Sequence, residues 1–370
     1  MGKRQFDPRL KELYRQGKNV YSISKINTIN NCLTEAYKTY VAREKGVQSI
    51  YGVLGSRVHD VLEAIIHKKA DTSELLVALN KELEDADMLG IEFPKDFNGN
   101  DTIRNNWVAD MEHFCKTFVP PKGEFTTEEL ILYKINDNRY VQGYIDLIRH
   151  NDDGSISIYD WKTSGDFKKK DLIHHGRQLV LYALAKEAEG YKVKNVAWIM
   201  LKYAEVSFMG KKRKNSKSLA KIKKIVSRRN LIPELREYLE YDLHELGYDE
   251  LDIEFMIDKA KKENSLDFMP EEIRMRYTIK PYVRQYEITE ELKQECLDYI
   301  NSAADVFESL DRKDSSQWNH REFETENSKG KRTEDTYFCN ALCSHRENCE
   351  YIKTYNESKN ELDEDEFCFF

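Results

Sequence analysis

No stretch of this 370-residue chain approaches the roughly 18 consecutive apolar residues of a membrane span, which excludes a helical membrane protein. The opening residues, MGKRQFDPRLKELYRQGKN, lack the apolar core of a secretory leader, so a cytoplasmic location is expected. Position 6 is Phe6 rather than Ser or Thr, which removes N-myristoylation despite the Met-Gly start. No internal repeat is detectable. The sequence also has no G-x-x-x-x-G-K-[ST] motif, so any unwinding of nucleic acid would have to come from another chain. Cysteine is sparse, with 7 residues, too few in a cytosolic chain of this size for a disulfide framework, and any that cluster point to metal or cluster binding.

What is present describes a folded protein with much solvated surface. Hydrophobic residues make up 40%, aromatics 11% and charged residues 34%, with a mean hydropathy of -0.73. The length allows one large domain or two ordinary ones. Net charge is -8, which argues against a nucleic-acid partner on average, but the charge is segregated. Residues 211–229, KKRKNSKSLAKIKKIVSRR, are densely basic, while 361–370, ELDEDEFCFF, are acidic.

Periodicity divides the chain into a helical front (1–125), a core of strands and one helix (126–205), a basic helical insertion (206–280), a strand-helix and cysteine-bearing region (281–360) and the acidic tail (361–370). Within the core the order is strand, strand, strand, helix, strand. Side chains alternate across a strand, so Asp160 and Lys162 share one face, and the NDDG turn makes a hairpin that brings Asp146 beside Asp160. Two carboxylates this close repel each other unless a cation lies between them, and hard oxygen ligands suit Mg2+ or Mn2+. A lysine beside them can orient water or steady charge on a phosphate. Taken alone, Asp-x-Lys at a strand end is also the pattern of a solvated charge pair.

GYID followed by YDWKTS resembles the PD-(D/E)XK nuclease superfamily, specifically its RecB-like branch, which includes the AddB nucleases and the CRISPR-associated adaptation exonucleases. GSRVHDVLEAI is similar to that branch's Gly-x-x-x-His helix, and GRQLVLYALA to its Gln-x-x-x-Tyr helix. The resemblance implies an α/β restriction-endonuclease-like core, a small mixed sheet flanked by helices. His59, Asp146, Asp160 and the carbonyl of Trp161 would hold the metal, with Lys162 catalytic and Gln178 and Tyr182 positioning the strand. It further implies a 4Fe-4S cluster on Cys32, Cys339, Cys343 and Cys349, although the spacing C-x3-C-x5-C and Leu33 in place of proline depart from the usual pattern. Zinc is the alternative, with His345 among the cysteines.

The implied activity is a DNA exonuclease in recombination, repair or phage DNA processing, in a bacterial or phage-infected cell. A subunit that needs partners and a silent binding module are the alternatives. Lys211, Lys212, Arg213, Lys214, Lys221, Lys223, Lys224, Arg228 and Arg229 are candidate DNA contacts, or equally a solvated helix. The acidic tail is a candidate dock for a helicase, single-strand-binding or replication protein, or a disordered terminus. Either Glu128 or Glu129 can face the site, and both can be solvated.

Overall fold

A computed structural model describes residues 7–210, 219–326 and 332–367. Asp7 caps the first turn of α1 (Pro8–Arg15), and β1 (Asn19–Ser22) follows. The Ser22 side chain accepts from the Lys25 N–H and starts α2 (Ile23–Asn31). Next come α3 (Leu33–Ala36) and a π-helical turn, Tyr37–Val41. Ser49 caps α4 (Ile50–Ile66), which buries Ile50, Leu54, Val58, Val61, Leu62 and Ile65 as one stripe. With α5 (Glu74–Met88) and α6 (Thr102–Thr117) it completes the helical front; the strand β1 inside that front was not expected.

The core follows as β2 (Glu124–Lys134), β3 (Arg139–His150), β4 (Ile156–Lys162), α7 (Leu172–Ala188) and β5 (Val193–Gly210), in the order the alternation predicts. β6 (Ala220–Ser227), α8 (Leu231–Glu245), α9 (Glu250–Glu263), α10 (Glu271–Arg276), β7 (Thr278–Tyr286) and α11 (Glu290–Ser309) come next. The chain closes with the hairpin β8 (Glu324–Glu326) and β9 (Arg332–Glu334), then α12 (Glu350–Phe367). No helix among the described residues is long and apolar enough to cross a membrane.

Seven strands form one mixed sheet, ordered β1-β3-β4-β5-β6, with β2 on the other edge of β3 and β7 on the other edge of β5. One face carries α2, α7 and α11 over Ile145, Ile158, Trp198 and Met200; the other carries α4, α5 and α6 over Leu147, Trp161 and Leu201. The fold is the expected α/β sheet flanked by helices.

Two forks interrupt this sheet. β3 gives one edge to β1 over Arg139–Gln142 and to β4 over Leu147–His150, which leaves residues 143–146 without a partner on that side. β5 likewise serves β4 as far as Met200 and β6 from Tyr203.

Residues 206–280 differ from the expected helical insertion. β5 runs on to Gly210, and the described part of the basic run is a strand, β6, rather than a helix. Ile222 and Val226 face inwards and alternate with exposed Lys221 and Lys223, so the lysine-rich composition concealed a period of two. α8, α9 and α10 then close a separate apolar cluster with Val206, Phe208, Leu235, Leu239 and Ile257. Each such buried side chain contributes about 1.5–3 kcal/mol.

Candidate active site

The first fork gathers the charged residues. Asp146 sits where β3 loses β1 and has not yet met β4. Val141 and Ile145 pack on the α7 side, yet so does Ile148, so the alternation of β3 slips by one beside Asp146. Glu128, opposite Asp146 in the register with β2, has φ +50 and marks a break in that strand as well. Thr127 pairs with Leu147 and Glu129 with Ile145 in one register, so neither strand carries an extra residue, and the local irregularity lets the Asp146 carboxylate lie in an otherwise apolar sheet.

In place of a ladder bond, the Trp161 N–H donates to Asp146 Oδ2 at 2.8 Å. His59, from α4, places Nδ1 3.6 Å from the same oxygen, and its ring meets Trp161 edge-on. Asp160 is only 1% exposed. Lys162 Nζ stands 2.6 Å from Asp160 Oδ2, but off the direction of a hydrogen bond, so that buried oxygen is a charge contact with no aligned donor. Lys162 donates instead to Gln178 Oε1 at 3.1 Å, Gln178 Nε2 donates to the Tyr182 hydroxyl at 2.8 Å, and Tyr182 donates to the Tyr144 carbonyl at 2.6 Å. A glycine is required at 143, because a Cβ there would lie 2.8 Å from the Tyr182 ring. The structure thus brings His59, Asp146, Asp160, Trp161, Lys162, Gln178 and Tyr182 together around one fork.

Burial, and then the neighbouring Asp160 charge, hold the Asp146 carboxyl well above the usual carboxylate range. Burial pulls His59 down to about 4, so it is a neutral imidazole with a lone pair to offer. Among the described residues, no three or more His, Cys, Asp or Glu side chains form a ready-made metal cage. The donors present nonetheless fit a hard divalent cation held by one or two carboxylates, with water and phosphate completing its shell. The raised Asp146 and the unaligned Asp160 oxygen are what such a cation would relieve.

Of the pair left open, Glu128 faces the fork, and its charge acts on Asp146 and Tyr182. Glu129 is held 2.6 Å from Lys186, a residue only 2% exposed.

Cys32, Cys339, Cys343 and Cys349 are all buried, none is in a disulfide, and they line one cavity with about 10 Å³ of free space. Sequence reasoning had placed His345 as the histidine of this group. His345 lines the cavity and its backbone N–H donates to Cys343 Sγ at 3.4 Å, but its ring is bonded to the Thr39 hydroxyl at 3.0 Å, and His320 lines the same cavity beside Cys32, Cys339 and Cys349. Burial opposes its charge, but the three sulfurs outweigh that and push His320 up to about 12. His320 was missed because it lies 19 positions before Cys339, outside any local motif. The four buried sulfurs are free of disulfides but are not drawn together as a ready-made metal cage, although thiolates are the ligands that soft metal groups take. Cys115 and Cys296 pack in separate apolar clusters, and Cys368 lies outside the described residues.

Of the basic candidates, Lys211, Lys212, Arg213 and Lys214 lie outside the described residues. Lys221 and Lys223 are exposed on β6, the latter paired with Glu205, and Lys224 bonds the Glu234 carbonyl. Arg228 must be reassigned. It is 4% exposed, donating to the Leu201 carbonyl at 2.8 Å and the Thr117 hydroxyl at 3.0 Å, so it fills the second fork and cannot reach a phosphate. Arg229 is half-buried and bonded to Asp110, which is fully buried.

A search of curated proteins finds no match to the chain. A family model does match, and it spans residues 20–350, all of the sheet but its first residue together with the cysteines at 32, 339, 343 and 349. By that match the chain belongs to the PD-(D/E)XK nuclease superfamily.

Proposed function

We propose that the protein is a Mg2+- or Mn2+-dependent DNA exonuclease. The observation that carries this reading is the pair of buried carboxylates, Asp146 and Asp160, meeting at a sheet fork with a neutral His59 and with Lys162 in contact. When bound, the divalent cation would acidify a water and neutralise charge on the scissile phosphate. Asp146, Asp160, His59 and the Trp161 carbonyl are the groups that would hold it. Lys162, swung from Asp160 towards substrate, would hold the attacking water or the charge growing on phosphate, and its bond to Gln178 sets the direction of that swing. Tyr182 buttresses Gln178 and, anchored on the Tyr144 carbonyl, fixes its distance from the fork.

The cysteine cavity is proposed to carry a 4Fe-4S cluster with a structural role, zinc being the alternative. Cys32 belongs to the first helices and the other three to the last part of the family match, so either group would tie the ends together around the sheet. Anaerobic purification followed by iron, sulfide and zinc analysis distinguishes them. A protein partner held by the acidic segment 361–370 rests on sequence alone: within it, side chains as far as 367 are not described, and 368–370 lie outside the described residues.

The test of activity is incubation of the anaerobically purified protein with end-labelled linear and with circular DNA in Mn2+ or Mg2+, beside Lys162→Ala. Loss of linear DNA alone, by the wild type alone, supports the exonuclease. Cleavage of circles makes it an endonuclease. Binding without cleavage points to a partner-dependent subunit or a silent module, and cleavage surviving in Lys162→Ala removes Lys162 from the mechanism.

A further inference from the structure

The residue after Lys162 opens onto a second space. A cleft of about 650 Å³ begins at Thr163, whose carbonyl accepts from the Trp107 indole at 3.0 Å. It lies at the second fork, where β4 has ended and β6 has not begun. Its lining is unlike the acidic site beside it: the rings of Tyr51, Tyr203 and Tyr337, the cations Lys202 and Arg229, and the exposed Ser164. The two cations share one buried carboxylate, Asp110, so the group keeps a net positive charge of about one.

We propose that this cleft takes an unpaired, single-stranded stretch of the DNA whose scissile phosphate lies at Lys162, with bases against the tyrosines and phosphates at Lys202 and Arg229. The proposal rests on the nuclease reading and deepens it by naming the form of the substrate. Bases in a duplex are already stacked and turn only their edges outward, so three aromatic rings in a phosphate-attracting cleft suit bases that have left the stack. A volume of about 650 Å³ lies within the ~300–1,000 Å³ of sites for small-molecule-sized ligands, room for roughly one or two nucleotides.

The tyrosines are also held in place. The Tyr203 hydroxyl accepts from the Asp166 N–H at 3.2 Å, and Tyr51 packs edge-on against Phe93. Tyr51 and Tyr337 both line the cleft, and because Tyr51 is on α4 and Tyr337 precedes Cys339, the helical front and the cysteine-bearing segment each supply part of its wall. Tyr337 is 50% exposed, which leaves ring surface for a base.

The experiment uses full-length Lys162→Ala protein in Ca2+ and follows the anisotropy of a labelled 20-nucleotide single strand, the same strand with abasic positions, and a blunt duplex. Adding Tyr337→Ala is expected to weaken single-strand binding by about 5–150-fold, the worth of one stacked base, while Tyr337→Phe and duplex binding change less than about twofold. Abasic substitution should weaken binding to the Tyr337-containing protein and have little further effect once Tyr337 is Ala. Adding Lys202→Gln should lower the salt slope by about 0.7. Equal losses for duplex and single strand, or none, would overturn the proposal while leaving wild-type cleavage, and so the nuclease reading, intact. An absence of both DNA binding and wild-type cleavage would overturn both. Unchanged thermal unfolding of Tyr337→Ala excludes misfolding as the cause.

Discussion

The two forks of the sheet are each plugged by a charged side chain, and the two plugs meet very different neighbours. Asp146 fills the gap in β3 and accepts from the Trp161 N–H; Arg228 fills the gap in β5 and donates to the Leu201 carbonyl. Both are more than nine-tenths buried. The difference lies in their neighbours. Arg228 meets a carbonyl and a hydroxyl, while Asp146 meets a second buried carboxylate, so burial and like charge both work against its ionisation. A charge in a sheet gap is therefore no sign of chemistry until its surroundings leave a demand unmet.

The strongest way to break this comparison is to neutralise each plug. Asp146→Asn is expected to lower cleavage by at least about 10³-fold while raising thermal stability in EDTA by about 1 kcal/mol, because the buried repulsion is gone. Arg228→Met should behave oppositely, leaving two acceptors unmet and costing about 3 kcal/mol of stability in denaturant unfolding. Loss of stability in Asp146→Asn would mean that its bond to Trp161 outweighs the repulsion, and the contrast would fail.

Metal sharpens the same contrast. Mn2+ at about 100 times its dissociation constant should stabilise the wild type by about 2.7 kcal/mol in a thermal shift, and Asp146→Asn by far less. Arg228→Met should keep the full increment. Between the two glutamates of β2, Glu128→Gln is expected to change cleavage by about tenfold with little effect on folding, since Glu128 faces the fork. Glu129→Gln should leave cleavage alone and cost about 1 kcal/mol, because Lys186 then keeps only Glu189.

The smallest effect is one of pH on the second fork's supports. His113 donates from Nε2 to the Asn264 carbonyl, and Asn264 in turn bonds the Arg228 carbonyl. Burial pulls His113 down to about 4 from an ordinary value of 6.5. The unfolded chain therefore takes up this proton first, and stability is lost as pH falls from about 6.5 towards 4. His113→Gln should lose less over that window in parallel acid titrations.

The acidic fork was legible because the NDDG turn places Asp146 near Asp160 and because GYID and YDWKTS resemble the nuclease superfamily, while the slip of β3 beside Asp146 was not foreseen. Gln178 and Tyr182 were legible through the resemblance of GRQLVLYALA to a Gln-x-x-x-Tyr helix, whose spacing puts both on one face. The second fork was not, since Leu201, Thr117, Asp110 and Arg228 come together only through tertiary packing. The basic run misled for a related reason: lysine density suggests a solvated helix, and only the spacing of Ile222 and Val226 hints at a strand. His320 was hidden by distance in sequence, while Glu128 could be told from Glu129 only once the break in β2 was seen.

The union of Cys32 with Cys339, Cys343 and Cys349 has a consequence in time. Every strand and helix that builds the acidic fork has left the ribosome once β5 has passed Met200, long before Tyr337 or the last three cysteines exist. At ~5–20 residues per second the thiol of Cys32 waits roughly 15–60 s for its companions. The acidic fork is thus assembled first, and Tyr337 with the last three cysteines arrives last.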